Sequence, residues 1–284
     1  MRRSRRLPAT ALAAFVLVAV AACGRGGSAP SSTPPPAGIE HPTGATDLIL
    51  RFDEGGGFVA PGFLATEAPA FSLYGDGSAI FRDPSSALPT PVGSVSPDVA
   101  FQTLRLTEPQ VQELLTFAIG PGGLGIARSH YELPIADAPT ATFTIVSGGT
   151  TKTVSVNGLG ISAQAGADAD ILARLGTLKE RLTKFGGEVT GELPWSPDRY
   201  RGILTEGGSN SPMAWPWPAI APSEFIKHDG PNDPFFPIRT MTPADVVALG
   251  ISGLEGGAQG FTLKGPDGKT YDFRLRPLLP DEQY

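Results

Sequence analysis

The stretch FSLYGDGSAIFR, residues 71–82, decides the fold class of this 284-residue chain. Two short runs rich in aromatic and aliphatic residues flank the turn residues Asp76 and Gly77. An Asp-Gly pair between such runs favours a tight β-turn, because the turn needs a positive φ that glycine adopts without steric cost. The sequence therefore predicts an antiparallel hairpin at this position.

More hairpins and strands surround this one along the chain. Apolar runs interrupted by glycine-containing turns predict two further hairpins, over residues 141–156 and 261–276. In the second of these, Tyr271, Phe273 and Leu275 share one face of the strand. Single strands are predicted at 47–52, 99–106, 200–205 and 235–240.

Helical signals lie between the strands. Thr107 followed by Gln110 is a capping-box pattern, and apolar residues at helical spacing follow over 111–119. The longest predicted helix covers 168–185, and a short one begins after Thr242. Helices and strands are segregated rather than alternating. The pattern predicts an α+β fold in which an antiparallel sheet with hairpins packs on two or three helices.

Composition excludes several classes of protein. The chain has 36 Gly and 29 Pro, too many for a bundle of long helices, yet 40% of its residues are hydrophobic, enough for a folded core. One Cys excludes a disulfide framework and a Cys-based zinc site. No P-loop or dinucleotide-binding pattern is present in the sequence, and we expect no cofactor.

The N-terminus has the pattern of a secretory signal. Four Arg lie within residues 2–6, and an apolar run follows over 11–22, too short to span a bilayer. Val20-Ala21-Ala22-Cys23-Gly24 resembles the bacterial lipobox, in which the Cys is lipidated and becomes residue one of the mature protein. Residues 1–22 are therefore predicted as a lipoprotein signal peptide and Cys23 as the lipidation site. The alternative is an ordinary signal peptide that leaves Cys23 as a free thiol.

The rest of the chain divides by composition. Residues 23–46 comprise the lipidated Cys and a tether rich in Pro, Gly and Ser, with His41 as a linker residue. Residues 47–190 are predicted as an α+β domain. Residues 191–284 are predicted as a β-rich extension packed on the same domain, giving one globular body after the tether.

Charge limits the partners of the mature chain. Without the signal, 18 Lys and Arg face 28 Asp and Glu, so the net charge is −10. Binding to nucleic acid needs a basic surface, so we do not expect nucleic acid as a partner of this acidic chain. The expected partners are the membrane, through the N-terminal lipid, and an envelope protein or glycan. The expected location is the extracytoplasmic face of the cell membrane.

Residues 70–185 resemble a bacterial family of secreted proteins and lipoproteins of unknown function. The resemblance rests on Pro69-Ala70-Phe71 leading to the Asp76-Gly77 hairpin, the Thr-capped helix, Tyr131, Asp137-Ala138-Pro139-Thr140 before a second hairpin, and a closing helix. It implies one domain in which a sheet packs on helices. It implies no activity and no catalytic residues.

The segment 212–218, PMAWPWP, is the strongest candidate for binding. Prolines restrict its backbone, and Trp combines a large apolar face with one N–H donor, which suits sugar rings or a protein partner. We expect Met213, Trp215 and Trp217 to form the binding face. The alternative is a loop that folds back and covers the edge of the core.

A second candidate is a calcium site in the loop 228–233. Asp229, Asn232 and Asp233 supply the oxygen ligands that calcium prefers, although the EF-hand spacing is absent. The alternative is that these are ordinary turn residues.

Catalytic patterns are weaker. The G-x-S-x-G elbow of serine hydrolases is absent from the sequence, and His130 and His228 are expected at the surface. The alternative function is an envelope-polymer hydrolase with a carboxylate pair near the Trp segment, residues 212–218. A third possible function is that of a structural spacer. The available acids are Glu54, Asp76, Asp137, Glu192 and Glu206.

The C-terminal region is predicted to be structural. Arg274 and Arg276 alternate with the apolar residues of their strand and are expected on a solvated face. Residues 277–282 are expected to form a strap over apolar surface. We therefore expect a membrane-anchored bacterial lipoprotein that binds a partner without enzymatic activity.

Overall fold

The hairpin at residues 71–82 is present as predicted, in a computed structural model that describes residues 38–83, 85–161, 166–188, 190–208, 211–228, 230 and 235–284. Gly77 has a φ of 86°, and a Cβ at this position would lie 2.4 Å from the carbonyl oxygen of Leu106. Asp76 closes the turn, because its Oδ1 accepts a hydrogen bond from the Ser78 N–H at 3.0 Å. The turn therefore requires glycine.

The secondary structure is mostly strand. The strands are β1 (Leu48–Gly55), β2 (Phe71–Tyr74), β3 (Ser78–Phe81), β4 (Ser96–Pro97), β5 (Gln102–Arg105), β6 (His130–Tyr131), β7 (Thr140–Ser147), β8 (Thr150–Asn157), β9 (Leu193–Pro194), β10 (Tyr200–Glu206), β11 (Met213–Ala214), β12 (Ile238–Met241), β13 (Ala258–Lys264) and β14 (Thr270–Pro277). The helices are α1 (Pro61–Leu64), α2 (Glu108–Ile119), α3 (Ala169–Thr183), α4 (Phe185–Glu188) and α5 (Pro243–Val247), with a 3₁₀ turn at Pro222–Glu224. None of the described helices is long and apolar enough to cross a bilayer.

These strands form two sheets. The first sheet has the order β6-β8-β7-β1-β2-β3-β5-β9, and the second has the order β11-β13-β14-β10-β12, with β4 also paired to β13. The described pairs are antiparallel apart from β6–β8 and β11–β13. The predicted α+β class is confirmed. The strands divide into two sheets, because those within residues 200–277 pair among themselves and not with the first sheet.

Each sheet has its own apolar core. The first sheet packs on α2 and α3, and this core includes Phe52, Phe143, Leu115 and Leu175. The second sheet carries an aromatic cluster around Phe273. Capping follows the sequence signals: the Thr107 N–H donates to Gln110 Oε1 at 2.9 Å at the start of α2.

The chain from Gly38 to Tyr284 forms one compact unit. It includes residues 38–46, which the sequence placed in the tether. The backbone N–H of Ile39 donates to Gln112 Oε1 at 2.7 Å, and Gln112 Nε2 donates to the Ile39 carbonyl at 2.9 Å. His41 is also held, because its Nε2 lies 3.2 Å from Glu108 Oε1. These residues belong to the folded body.

A polar layer lies on the first sheet opposite the helices. Phe52 of β1 faces the helical core, so Arg51 and Asp53 point to the other side. There Arg51 Nη2 donates to Asp281 Oδ1 at 2.7 Å, and the Tyr74 hydroxyl donates to the same oxygen at 2.8 Å. The segment that supplies Asp281 is the predicted strap, residues 277–282, with Leu278 and Leu279 buried.

The strap reaches the second sheet through Arg276. This side chain is 3% exposed, and its Nη2 donates to Glu282 Oε1 at 2.7 Å. The predicted solvated strand face is therefore wrong for Arg276, and Arg274 is only partly exposed, with Nε 2.9 Å from Asp272 Oδ2. The sequence pattern identified which residues share a face but not that the strap covers it.

Asp53 also belongs to this polar layer, and its environment disfavours the ionised form of the carboxyl group. Burial raises its pKa above the ordinary value of 3.8, and the positive charges of Arg276 and Arg51 only partly oppose this effect. The ionised carboxylate is thus less stable in the folded protein than in the unfolded chain. The stability linked to its protonation is complete below pH 3.8 and is lost as pH rises through the folded-state pKa.

Asp53→Asn is expected to increase the free energy of unfolding at neutral pH, because the amide avoids burying a charge. The gain should vanish below the unfolded-state pKa and grow as pH rises. Urea unfolding at several pH values measures it. Asp198→Asn, at an exposed position without a positive φ, is the matched control for the removal of one negative charge. Destabilisation of Asp53→Asn at neutral pH would mean that the two arginines outweigh burial.

Candidate functional site

The Trp segment forms part of the second sheet. Met213 and Ala214 make the short strand β11, which pairs in parallel with Leu263 and Lys264 of β13. Trp217 is 3% exposed, its ring lies 5.1 Å from that of Phe273, and its Nε1 donates to the Asp245 carbonyl at 2.8 Å. Trp217 is therefore a core residue. This agrees with the alternative interpretation of the sequence, in which the segment 212–218 folds back and covers the edge of the core.

Trp215 is half-buried and directs its N–H inward. Its Nε1 donates to the carbonyl oxygens of Trp217 at 3.0 Å and Ile220 at 2.8 Å. Its ring meets Phe225 and Tyr271 edge-on, with centroids 6.4 and 6.0 Å apart. Because both indole N–H groups are used within the protein, neither is free for a ligand. Trp215 instead supports two aromatic residues that line a cleft.

We call this cleft the Tyr271 cleft; its volume is about 800 Å³. Its lining includes Phe225 and Tyr271, prolines from three different loops, and two carboxylates at the rim. The prolines are Pro222, Pro237 and Pro266, and the carboxylates are Glu206 and Asp267. Concave sites with mostly apolar walls and a few polar groups are typical of ligand-binding sites.

The rim carboxylates are each tied to a neighbour. The Tyr271 hydroxyl donates to Asp267 Oδ2 at 2.5 Å, and the Lys269 backbone N–H donates to Asp267 Oδ1 at 3.1 Å. Lys269 Nζ donates to Glu206 Oε2 at 2.7 Å. These three charged side chains are exposed, so the rim carries a net negative charge that is open to solvent.

The hydrogen bonds set the protonation states at the rim. The pKa of Asp267 is lowered, first by the Tyr271 hydrogen bond and then by the Lys269 N–H. Burial, together with the hydrogen bond to Asp267, raises the pKa of Tyr271 to about 12. The hydrogen bond to Glu206 raises the pKa of Lys269. At neutral pH Asp267 is a carboxylate, Tyr271 is a neutral donor and Lys269 is a cation.

The carboxylates proposed for hydrolysis do not form a pair at this cleft. Glu206 is the one member of the sequence-based set that lines it, and its neighbour Asp267 lies in the turn between β13 and β14. General acid catalysis at neutral pH needs a carboxyl group with a raised pKa, whereas the pKa of Asp267 is lowered. Glu54 pairs with Lys179, and Asp76 lies 3.5 Å from Arg105.

The remaining candidates fall elsewhere. Cys23 and the proposed calcium ligands Asp229, Asn232 and Asp233 lie outside the described residues. Within the described part of the chain, no group of three or more His, Cys, Asp or Glu side chains is placed to hold a metal ion.

The sequence did not identify Phe225 as a residue that lines the cleft, nor the hydrogen bond by which the Tyr271 hydroxyl reaches its rim. Tyr271 was assigned to an apolar strand face, which is correct, but its hydroxyl reaches the rim. The one local signal at the cleft is the turn that contains Pro266-Asp267, since neither Pro222 nor Pro237 has an acidic neighbour in the sequence. Such turns place an ionised side chain at the border of an apolar surface.

Asp267→Asn is expected to lower the pKa of Tyr271 from about 12 towards 10, because the tyrosinate no longer forms beside a carboxylate. The pKa should stay above 10, since the ring remains buried. Alkaline titration followed by tyrosinate absorbance measures the change, with Tyr271→Phe identifying the transition. Asp198→Asn, exposed at another cleft, is the control. An unchanged Tyr271 titration would contradict the hydrogen bond.

Comparison with known proteins gives no relative. No protein-family model, curated protein or solved structure matches this chain. The resemblance of residues 70–185 to a bacterial family of secreted proteins and lipoproteins therefore stays a prediction.

Proposed function

We propose that this protein is a lipid-anchored binding protein of the bacterial cell envelope, and that it holds a segment of an envelope protein in the Tyr271 cleft. The observation that carries the proposal is the aromatic cleft supported from beneath by Trp215. The anchor rests on the pattern of residues 1–23, with Cys23 as the lipidated residue.

The cleft is supported by a cluster of contacts that keeps its shape fixed. Phe225 and Tyr271 contact Trp215, and Phe225 and Trp217 contact Phe273 in the core of the second sheet. A preformed site loses little conformational entropy on binding. The prolines of the Trp segment, residues 212–218, predicted the same advantage, because they restrict its backbone. In the structure the segment supplies it indirectly, by supporting the walls of the cleft.

The chemistry of the cleft favours a protein segment. Phe225, Tyr271 and the three prolines offer apolar surface, while Glu206 and Asp267 outnumber Lys269 at the rim. An apolar side chain beside a Lys or Arg matches both features. A glycan, which would use hydroxyl donors to Asp267, is the other outcome of the tests below. A structural spacer would need no such cleft.

Ser223→Arg tests the cleft. Ser223 is exposed and lines the cleft, so a long charged side chain fills the space without disturbing the core. We expect partner affinity to fall at least about tenfold, a loss of more than about 1.4 kcal/mol. In-cell crosslinking and affinity purification with the parent chain identify the partner, and binding to the purified partner measures the loss.

Ser129→Arg is the matched control, because Ser129 is exposed and outside the cleft lining. It should capture the same partner as the parent chain. Equal capture by Ser223→Arg would remove the Tyr271 cleft as the binding face. Capture of no protein, together with glycan binding that Ser223→Arg abolishes, would identify the glycan as the ligand.

Cys23→Ser tests the anchor. The variant should incorporate no labelled fatty acid, because Cys23 is the sole Cys of the chain. A smaller share of the protein should stay in the membrane fraction than for the parent chain, since the acyl chains contribute to the membrane affinity. Ser32→Ala in the tether is the control and should be labelled like the parent. Labelling of Cys23→Ser would contradict lipidation at this residue.

A further inference from the structure

Exposed apolar side chains concentrate in two segments of the chain. Phe58 is 90% exposed and Leu88 is 74% exposed, and Phe63 is 43% exposed although it lies in helix α1. Large exposed apolar groups in neighbouring positions are uncommon on soluble proteins and mark sites of protein or membrane contact. We call this set the apolar patch; it consists of Phe58, Val59, Phe63, Leu64, Leu88 and Val92.

A groove brings the two segments together. Phe63 lines one part of it, and Leu88, Pro89 and Pro91 line another, around a volume of about 780 Å³. Helix α1 lies beside the second sheet, because a Cβ at Gly62 would lie 2.5 Å from Cζ of Arg274 in β14. Phe63 and Leu88 therefore share one groove, although they belong to two separate segments of the chain.

The two segments also lack charge. Residues 56–66 and 84–97 contain no Asp, Glu, Lys or Arg, in a mature chain whose net charge is −10. A charged group that enters hydrocarbon pays a large desolvation cost, and a segment without charges avoids it. Asp98 is the one charged residue among those that line the groove, and its Oδ2 lies 3.6 Å from Nη1 of Arg82 within the protein. The absence of charge thus favours contact between the apolar patch and an apolar environment.

The distance from the patch to the point where the chain enters the folded body can be compared with the length of the tether. The carbonyl of Glu40 accepts a hydrogen bond from the Gly148 N–H, so the chain enters the folded body near the start of β1. The patch follows the end of β1, about 26 Å away for a strand of eight residues. Residues 24–37 separate Cys23 from Gly38, and a chain of this length reaches at most about 50 Å.

We infer that the apolar patch inserts into the acyl-chain region of the membrane in which Cys23 is anchored. This inference rests on the proposed anchor, since the lipid keeps the patch within tether distance of the bilayer and raises its effective concentration there. Stable membrane attachment takes two signals, and the patch supplies a second one beside the acyl chains. It also orients the domain, because the lipid alone leaves it free to rotate.

The experiment separates the patch from the anchor. The mature chain carrying Cys23→Ser has no acyl group, so its binding to vesicles reports the patch alone. Flotation with vesicles of phosphatidylcholine, and of phosphatidylcholine mixed with phosphatidylglycerol, measures the fraction bound. We expect binding to both, weaker to the anionic mixture because the domain is acidic. Phe58→Ser with Phe63→Ser should lower binding by about tenfold or more.

Ile126→Ser with Phe235→Ser is the matched control, because both positions are exposed and neither belongs to the patch. It should bind vesicles like the Cys23→Ser parent. A Phe58→Cys substitution in the same background provides a single thiol for an environment-sensitive dye, whose emission should shift to the blue on adding vesicles. The patch variant must unfold at the same temperature as the control variant, because Phe63 is 43% exposed and a loss of binding through unfolding has to be excluded.

Three results would overturn the inference. The Cys23→Ser chain could fail to bind vesicles, or the patch variant could bind as well as the control. A dimer in solution that the patch variant abolishes would make a second copy of the chain the occupant. Fatty-acid labelling of the unmodified Cys23 is measured separately, so loss of the anchor is distinguishable from loss of the patch contact.

Discussion

Arg276 and Glu282 form the contact on which most of the structure depends. Arg276 belongs to β14, at the centre of the second sheet, and Glu282 belongs to the strap that lies on the first sheet. Replacing such a pair by apolar residues of the same size is often tolerated, but removing one partner leaves a buried charge and is strongly destabilising. The neighbouring contact of Arg51 with Asp281 fixes the strap to β1. Together these two pairs hold the strap against both sheets.

The same strand connects this layer to the Tyr271 cleft. Arg276 lies on one face of β14, and Tyr271 and Phe273 lie on the other. Phe273 contacts Trp217 and Phe225, and Tyr271 contacts Trp215. A shift of β14 would therefore move the walls of the cleft. Binding at the cleft and packing of the strap use opposite faces of one strand.

Local signals in the sequence predicted the local structure well. The Asp76-Gly77 turn and the caps at Thr107 and Thr242 depend on residues a few positions apart, and the structure contains all three. The α+β class follows from such elements. The arrangement of the strands in two sheets could not be predicted in this way, because it depends on pairing between distant residues such as Arg201 and Arg276.

The site was harder to predict because burial depends on distant packing. The motif of two Trp between prolines is the same whether the rings face solvent or core, and it is the contacts with Phe273 and the Asp245 carbonyl that bury Trp217. Arg276 has the alternation typical of an exposed face, yet the strap covers it. The sequence does reveal the two uncharged segments directly, since the absence of charge needs no partner to be recognised.

The strap also affects when the protein can fold. The contact between Arg51 and Asp281 joins residues 230 positions apart. At the usual rates of synthesis, about 5–20 residues per second, roughly 10–50 s separate the appearance of the two side chains. During this interval the face of the first sheet that carries Arg51 has no cover from residues 277–282. A chain that crosses a membrane unfolded would postpone this problem until both segments are on the same side.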